Sequence, residues 1–430
     1  MIEKAKTIFL ILLVGTSLLQ SYLLAYHSTD YESILEGEYV ETEAIGTQEN
    51  QKNLVYPLQI VMHQDAERHS VLYPGHYFYR LIMEDLQKQT FGDLKLTEKS
   101  GLLLNQMKNE QAGLELRFPS ELPLQIVRLA VPIQTGLTNE TEWIRTMWMT
   151  IDEQTDKVEV YFVGDDFSNA YEVVSSSLSK ERIEQYIRFG EFQFPNYTAS
   201  RFGFLYPSES ISVQRIQQTF TSITSDKMEN MLFPDPGITR SFPTSDGTEI
   251  YSDGKRVLEI DRSQLWMGYT DPMTPINERL SPGKAMNTIV QFINHHGGWN
   301  GQYTLERINT ASNQAGPRFI FRQYMSSYPF AYPILDSGKS RFGSIEVMLQ
   351  QDVVTEYERT LIISDAEKMT GGEVHLPGGD VLMKRLEKLG VMTRIEIVTP
   401  AYRSAITPEA IEFTPVWAVI LKDGTILELP

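Results

Sequence analysis

The stretch WIRTMWMTIDEQTDKVEVYFVGDD, residues 143–166, decides the fold class. WIRTMWMTID and KVEVYFVGDD both alternate along the chain, and EQTD between them is a short turn. Strands joined by so few residues must run antiparallel, because a parallel pair needs a crossover of about a dozen residues or more. On the amino-terminal side, YPLQIVMH at 56–63 reads as another strand. In YPGHYFYRLIMEDLQKQ at 73–89, Tyr79, Ile82, Met83 and Leu86 fall on one helical face. On the carboxyl side, Ser179 caps KERIEQYIRFG, with Ile183 and Ile187 inward and Gly190 at the end. SDKMENMLFPDPG is a short helix stopped by Pro234 and Pro236. TEIYSDGKRVLEID places two apolar runs around Asp253-Gly254, a strong hairpin cue. Ser281 and Pro282 open a helix that carries Met286, Ile289, Val290 and Ile293 on one face and stops at Gly297-Gly298. FIFRQYM, FGSIEVML, VVTEYERTLI, TRIEIVTPAYR, PVWAVIL and TILELP read as strands, and DVLMKRLEKLG as a helix ending at Gly390. Many antiparallel strands with a few helices predict an α+β fold of mixed, mostly antiparallel sheets with flanking helices.

The chain has 430 residues, of which 41% are hydrophobic and 22% charged, enough apolar material for several cores. Acids outnumber bases by 56 to 38, a net charge of −18 that repels phosphate backbones, so no nucleic-acid partner is expected. The absence of cysteine excludes disulfides, thiolate metal sites and a cysteine nucleophile.

At the amino end, IFLILLVGTSLLQSYLLAY, Ile8 to Tyr26, has no charge. Nineteen helical residues rise about 28 Å, close to the hydrocarbon thickness of a bilayer. Lys4 and Lys6 precede the run, and Asp30, Glu32, Glu36 and Glu38 follow it. The positive-inside bias then puts the N-terminus in the cytoplasm and the acidic bulk outside, on a single-pass cell-membrane anchor. A cleaved signal peptide is the competing reading, but no A-x-A site precedes Ala25. Within the run, Gly15, Thr16, Ser17, Gln20 and Ser21 form a polar stripe, with Thr16/Gln20 and Ser17/Ser21 at helical spacing. One reading is a helix docked on another transmembrane helix through small and hydrogen-bonding residues. The other is that Ser and Thr bond their own backbone while Gln20 reaches toward the outer surface. The layout expected along the chain is a cytoplasmic stub and anchor at 1–29, an acidic linker at 30–56, and α/β domains at 57–165, 166–275 and 276–430.

No catalytic constellation emerges, and neither a cofactor nor a metal site is expected. None of the seven histidines has zinc-binding spacing; His63, His69 and His76 read as solvated loop residues and His295-His296 as the last turn of a helix. Gly338-Lys339-Ser340 ends like a phosphate loop, but Pro333 stands where that loop needs its first glycine. There is no G-x-S-x-G elbow. Asp165-Asp166 reads as a turn after a strand, and the sequons at Asn139 and Asn196 are short enough to arise by chance. Tyr324, Tyr328, Phe330, Tyr332 and Trp417 fit an aromatic sheet core better than a pocket.

Several stretches resemble the YycH family, membrane-anchored accessory proteins of the WalK/WalR (also YycG/YycF) two-component system of low-GC Gram-positive bacteria. They are the KTIFLILLV start, RFGFLYPSE at 201–209, LFPDPGITRSF at 232–242, YSDGKRVLEID at 251–261, YPFAYPI at 328–334 with the FGSIEVML and VVTEYERT that follow, and PVWAVILKDGTI at 415–426. The resemblance implies a single-pass anchor, a multidomain extracytoplasmic part and a C-terminal domain similar to the partner YycI. It also implies a non-catalytic role, in which transmembrane contacts and a YycI-like single-pass protein tune a WalK-like sensor histidine kinase that controls cell-wall metabolism. Two alternatives remain open. A cell-wall enzyme would use a carboxylate pair about 5–10 Å apart in a cleft. A ligand sensor would use a pocket lined by the aromatic cluster near Trp417.

Overall fold

This computed structural model describes residues 4, 6, 9, 13–17 and 20, and residues 44–429 apart from 100, 135–141, 153–154, 166–168, 192–193, 246, 273–279, 311–315, 328 and 336–340. The chain divides into two compact units, Met1–Val40 and Glu41–Pro430.

In the larger unit the first strands are β1 (Gln59–His63), β2 (His69–Leu72), β3 (Leu94–Leu96), β4 (Gly113–Pro123), β5 (Trp143–Ile151), β6 (Val158–Val163), β7 (Ala170–Val173), β8 (Asn196–Ala199) and β9 (Leu205–Pro207). They form one sheet in the order β3-β7-β6-β5-β4-β1-β2-β8-β9. The hairpin read at 143–166 is the antiparallel β5–β6 pair, with Trp148 opposite Tyr161 and Thr150 opposite Glu159. Alternation sends Met147, Met149 and Phe162 into the main core, while Trp148 and Tyr161 join a small cluster on the other side. Helices α1 (Tyr77–Leu86), α2 (Gly101–Glu110), α3 (Leu124–Ala130) and α4 (Lys180–Phe189) accompany this sheet. Helix α1 buries the four residues its period singled out, Tyr79, Ile82, Met83 and Leu86. At α4 the Ser179 hydroxyl accepts the Arg182 N–H at 3.4 Å.

The remaining strands are β10 (Ile211–Ser222), β11 (Arg240–Pro243), β12 (Thr248–Ser252), β13 (Val257–Asp261), β14 (Trp266–Thr270), β15 (Gln302–Asn309), β16 (Arg318–Ser327), β17 (Phe330–Leu335), β18 (Ser344–Gln350), β19 (Val353–Thr360), β20 (Ile362–Leu376), β21 (Ile395–Ile406), β22 (Ile411–Leu421) and β23 (Ile426–Leu429). They build a 14-stranded sheet along the path β11-β12-β13-β14-β19-β18-β16-β17-β21-β22-β10-β20, with β15 on β16 and β23 on β22. Strand β17 joins the two halves, antiparallel to β16 and parallel to β21. The fold is thus α+β and mostly antiparallel. Helices α5 (Ser225–Leu232), α6 (Pro282–His295) and α7 (Gly379–Lys388) complete it. Ser281 holds the N-cap position of α6 but makes no side-chain cap bond. Gln125 from α3 accepts the Gly283 N–H at 3.2 Å instead, so a tertiary neighbour does the capping. Met286, Ile289, Val290 and Ile293 enter the same core as Met147 and Phe162.

Of the expected linker 30–56, residues 44–56 are described, and they pack. Ile45, Leu54 and Val55 are buried, and a 3-10 turn spans Gln51–Leu54. The backbone N–H groups of Ile45 and Gly46 both reach the Gly297 carbonyl at 2.9 Å. Asn294 clasps Glu49 through two backbone bonds, of 3.0 and 2.9 Å. Gly297 and Gly298 adopt φ of 99° and 76°, and a Cβ on either would strike Ile45 or the Thr47 carbonyl. These glycines therefore end α6 and also make room for the amino-terminal segment.

Candidate functional site

The stripe expected at the amino end falls in the smaller unit. Gly15, Thr16, Ser17 and Gln20 are helical and exposed, and Ser21 lies outside the described residues. The Thr16 hydroxyl donates to the Leu13 carbonyl at 2.9 Å, a bond within its own helix. Among the described residues, no helix is long and apolar enough to cross a membrane.

A cleft of about 270 Å³ opens between Trp266, Arg341, Ser344, Glu346 and Glu358. Glu346 and Glu358 face each other across β18 and β19. Burial, followed by the charge of Glu346, raises the Glu358 carboxyl above its ordinary range. One nitrogen of Arg318, Nη1, reaches both carboxylates, at 3.4 and 3.3 Å. Arg341 pairs with Glu358 at 3.1 Å and stacks 4.1 Å over the Trp266 ring. The two carboxylates are thus held in an ion-pair network that also takes Glu356 through Arg318.

The aromatic cluster is core, as its composition favours. Trp417 is fully buried and donates its indole N–H to the Pro377 carbonyl at 3.0 Å. Tyr324 and Tyr332 are buried, Phe330 is half-buried, and Tyr328 lies outside the described residues. The cavity beside Tyr324, lined also by Leu58, Glu306 and Arg322, holds about 20 Å³, room for roughly one water.

The densest titratable constellation is one the sequence reading placed in solvent. His63 and His69 are each only 2% exposed and stand opposite one another at the end of the β1–β2 pair. His76 is different again: it caps α1, accepting the Phe78 N–H at 3.2 Å. The turn between β1 and β2 is made by Asp65, whose carboxylate accepts the N–H groups of Glu67 and Arg68. That turn sets His63 Nδ1 3.0 Å from His69 Nδ1. On its other side His63 Nε2 lies 3.2 Å from Glu115 Oε2. Glu115, on β4, is fully buried and also takes Arg117 at 2.7 Å and Lys108 of α2 at 2.6 Å. Gly113 sits opposite His63, and a Cβ there would collide with Trp148, whose ring packs edge-on against His63. His69 Nε2 and Trp148 Nε1 are buried without a hydrogen-bond partner among the described residues.

The electrostatics follow from burial. Burial lowers the His63 imidazole against the opposing pull of Glu115. Burial, with the charges of His63 and Arg117, pushes His69 down to about 4. Burial alone would raise Glu115, yet Arg117, Lys108 and the His63 bond hold its carboxyl well below the usual range. Both rings are therefore neutral at pH 7 beside an ionised carboxylate. One signal in the sequence pointed here: the histidines flank QDAER, residues 64–68, where a tight hairpin brings them together.

By sequence, residues 3–188 match the YycH protein N-terminal domain and residues 202–427 the YycH protein C-terminal domain. The two-component system WalR/WalK regulatory protein YycH of Bacillus subtilis (strain 168) is 21% identical over 445 residues, spanning 97% of this chain and 94% of that protein. The crystal structure of YycH from Bacillus subtilis superposes with a TM-score of 0.70 at 18% identity, covering 90% of this chain and 99% of that one. That likeness extends the α+β architecture described above across nearly the whole chain. The two matched domains, which together span most of the sequence, place this chain in the YycH family.

Proposed function

We propose that this chain is a non-catalytic, membrane-anchored regulator of a two-component system, acting on a WalK/YycG-like sensor histidine kinase that controls cell-wall metabolism. Membership of the YycH family, with a relative named as a WalR/WalK regulatory protein, carries the reading. The uncharged run Ile8 to Tyr26 supports a single span, with the N-terminus cytoplasmic and the acidic bulk extracytoplasmic. In this reading the helix meets the kinase's transmembrane helices through Gly15, Thr16, Ser17, Gln20 and Ser21, and the body works with a YycI-like single-pass protein. Gln20 has the most to gain, since an amide in hydrocarbon is costly until it finds a partner. Regulation needs only unequal binding to two signalling states. A tenfold bias requires about 1.4 kcal/mol, which a few interhelical contacts can supply.

The test is to replace Ser17 and Gln20 by Leu and measure co-purification with the kinase and kinase output. The expected outcome is weakened association and altered output. Unchanged association with unchanged output removes the stripe from the mechanism.

A further inference from the structure

The His63–His69 contact admits few proton arrangements. Glu115 Oε2 is an ionised acceptor, so His63 must present an N–H at Nε2. A neutral His63 then offers a bare Nδ1 to its neighbour, and His69 must carry its hydrogen on Nδ1 to fill the 3.0 Å contact. His69 Nε2 is left as a buried lone pair. A proton arriving on His63 Nδ1 would set two N–H groups against each other, unless His69 moved its own hydrogen to Nε2, where no acceptor waits among the described residues. A proton arriving on His69 Nε2 would create an unpaired buried N–H on a cation. Unpaired buried donors are costly, and a charged one more so.

The surroundings add to the cost. Arg117 and Lys108 already supply two cations to the single buried Glu115. Asp65 in the β1–β2 turn pulls weakly on His69, and Glu396 of β21 acts on Arg117. Trp148 of β5 meets His63 with a ring edge, and the hydroxyl of Tyr197 of β8, opposite His69, shares a 3.0 Å hydrogen bond with the Tyr73 hydroxyl. None of these groups can take a new imidazolium proton without a rearrangement of the contacts.

We propose that the His63–His69 pair is an acid-responsive latch, which closes the β1–β2–β8 edge of the first sheet while both rings are neutral and releases it when either ring takes a proton. The proton comes from solvent, and release separates the rings so that each N–H can be hydrated. Strand β2 is the element set free, because among the described residues only the short strands β8 and β9 stand beyond it in the sheet.

The chain's lack of cysteine makes the test direct. In the full-length protein in detergent micelles, Val71→Cys places a thiol on buried β2, and Val419→Cys places one on buried β22 as a control. Thiol labelling is measured at about pH 7.5 and about pH 5, each rate divided by that of the same variant unfolded at the same pH. The latch predicts that the Val71→Cys ratio rises about tenfold or more in acid while Val419→Cys stays level. It also predicts that adding His63→Gln and His69→Gln abolishes the rise. A Val71→Cys ratio that does not change with pH overturns the proposal even if the glutamine variants fail to fold. An equal rise at both sites, or a rise that survives the glutamines, overturns it too.

Discussion

Thr47 and Trp299 form an antiparallel backbone bridge, with Thr47 N–H donating to the Trp299 carbonyl at 3.0 Å and Trp299 N–H returning to Thr47 at 2.8 Å. The bridge ties the segment that follows the amino-terminal unit to the turn between α6 and β15. The Trp299 indole N–H is held in turn by Asn294 at 3.0 Å, the residue that clasps Glu49.

Trp299→Ala should therefore do more than leave a void. A fully buried aromatic costs about 3–5 kcal/mol on truncation, and the segment at 45–53 loses its wall. Tryptic cleavage after exposed Lys52 should accelerate markedly relative to the parent chain. Equal cleavage rates would show that the segment is held by its backbone bonds alone.

Glu306 and Arg322 form a buried ion pair on β15 and β16, with Nε to Oε2 at 2.5 Å. Glu306→Leu leaves the guanidinium without its carboxylate and should cost about 3–5 kcal/mol. The double variant Glu306→Leu/Arg322→Met should recover most of that loss, because apolar side chains of similar size replace two desolvated charges. Denaturant midpoints of the single and double variants measure the difference.

His296 closes α6, donating Nδ1–H to the Phe292 carbonyl at 2.7 Å and stacking on the Phe292 ring. Burial pushes its pKa down to about 4. A lowered folded value means that the unfolded chain binds more protons between pH 6.5 and 4, so stability is full above that window and falls as pH drops through it. At pH 5 the expected loss from this residue is about 2 kcal/mol. His296→Asn should flatten the pH dependence of the melting temperature by that share, and an unaltered slope would assign the acid sensitivity elsewhere.

Gly113→Ala tests how tightly Trp148 is seated over the buried histidine. The added methyl meets the indole and the Met149 carbonyl and should cost about 1–3 kcal/mol. The variant's thermal midpoint is the readout, and a neutral result would mean that the ring moves aside freely.

Features legible in the sequence are those fixed by near neighbours. Helices α1 and α4 follow from apolar spacing, and the β5–β6 and β12–β13 hairpins follow from strands met by short turns. The His63–His69 pair escaped because β2 is four residues long, too short to show a period, and histidine has no fixed preference for water. The packed segment at 44–56 escaped because it carries little apolar pattern. Its bonds run to distant backbone and to the side chains of Asn287, Asn294 and Thr304, and its fit depends on two glycines far along the chain. Ser281 stands at the cap position of α6, yet the bond is made by Gln125, because a well-placed distant acceptor satisfies the same N–H.

Composition and local pattern by themselves determined an antiparallel α+β chain, an acidic surface and an uncharged amino-terminal run, since each depends on residue type or on spacing within a turn or two. Which face of each strand meets which sheet, which charges share Glu115 and where the amino-terminal segment docks were decided only in the tertiary structure. Those outcomes depend on contacts between residues remote in sequence, whose energies arise from burial and hydrogen-bond geometry that no local window contains.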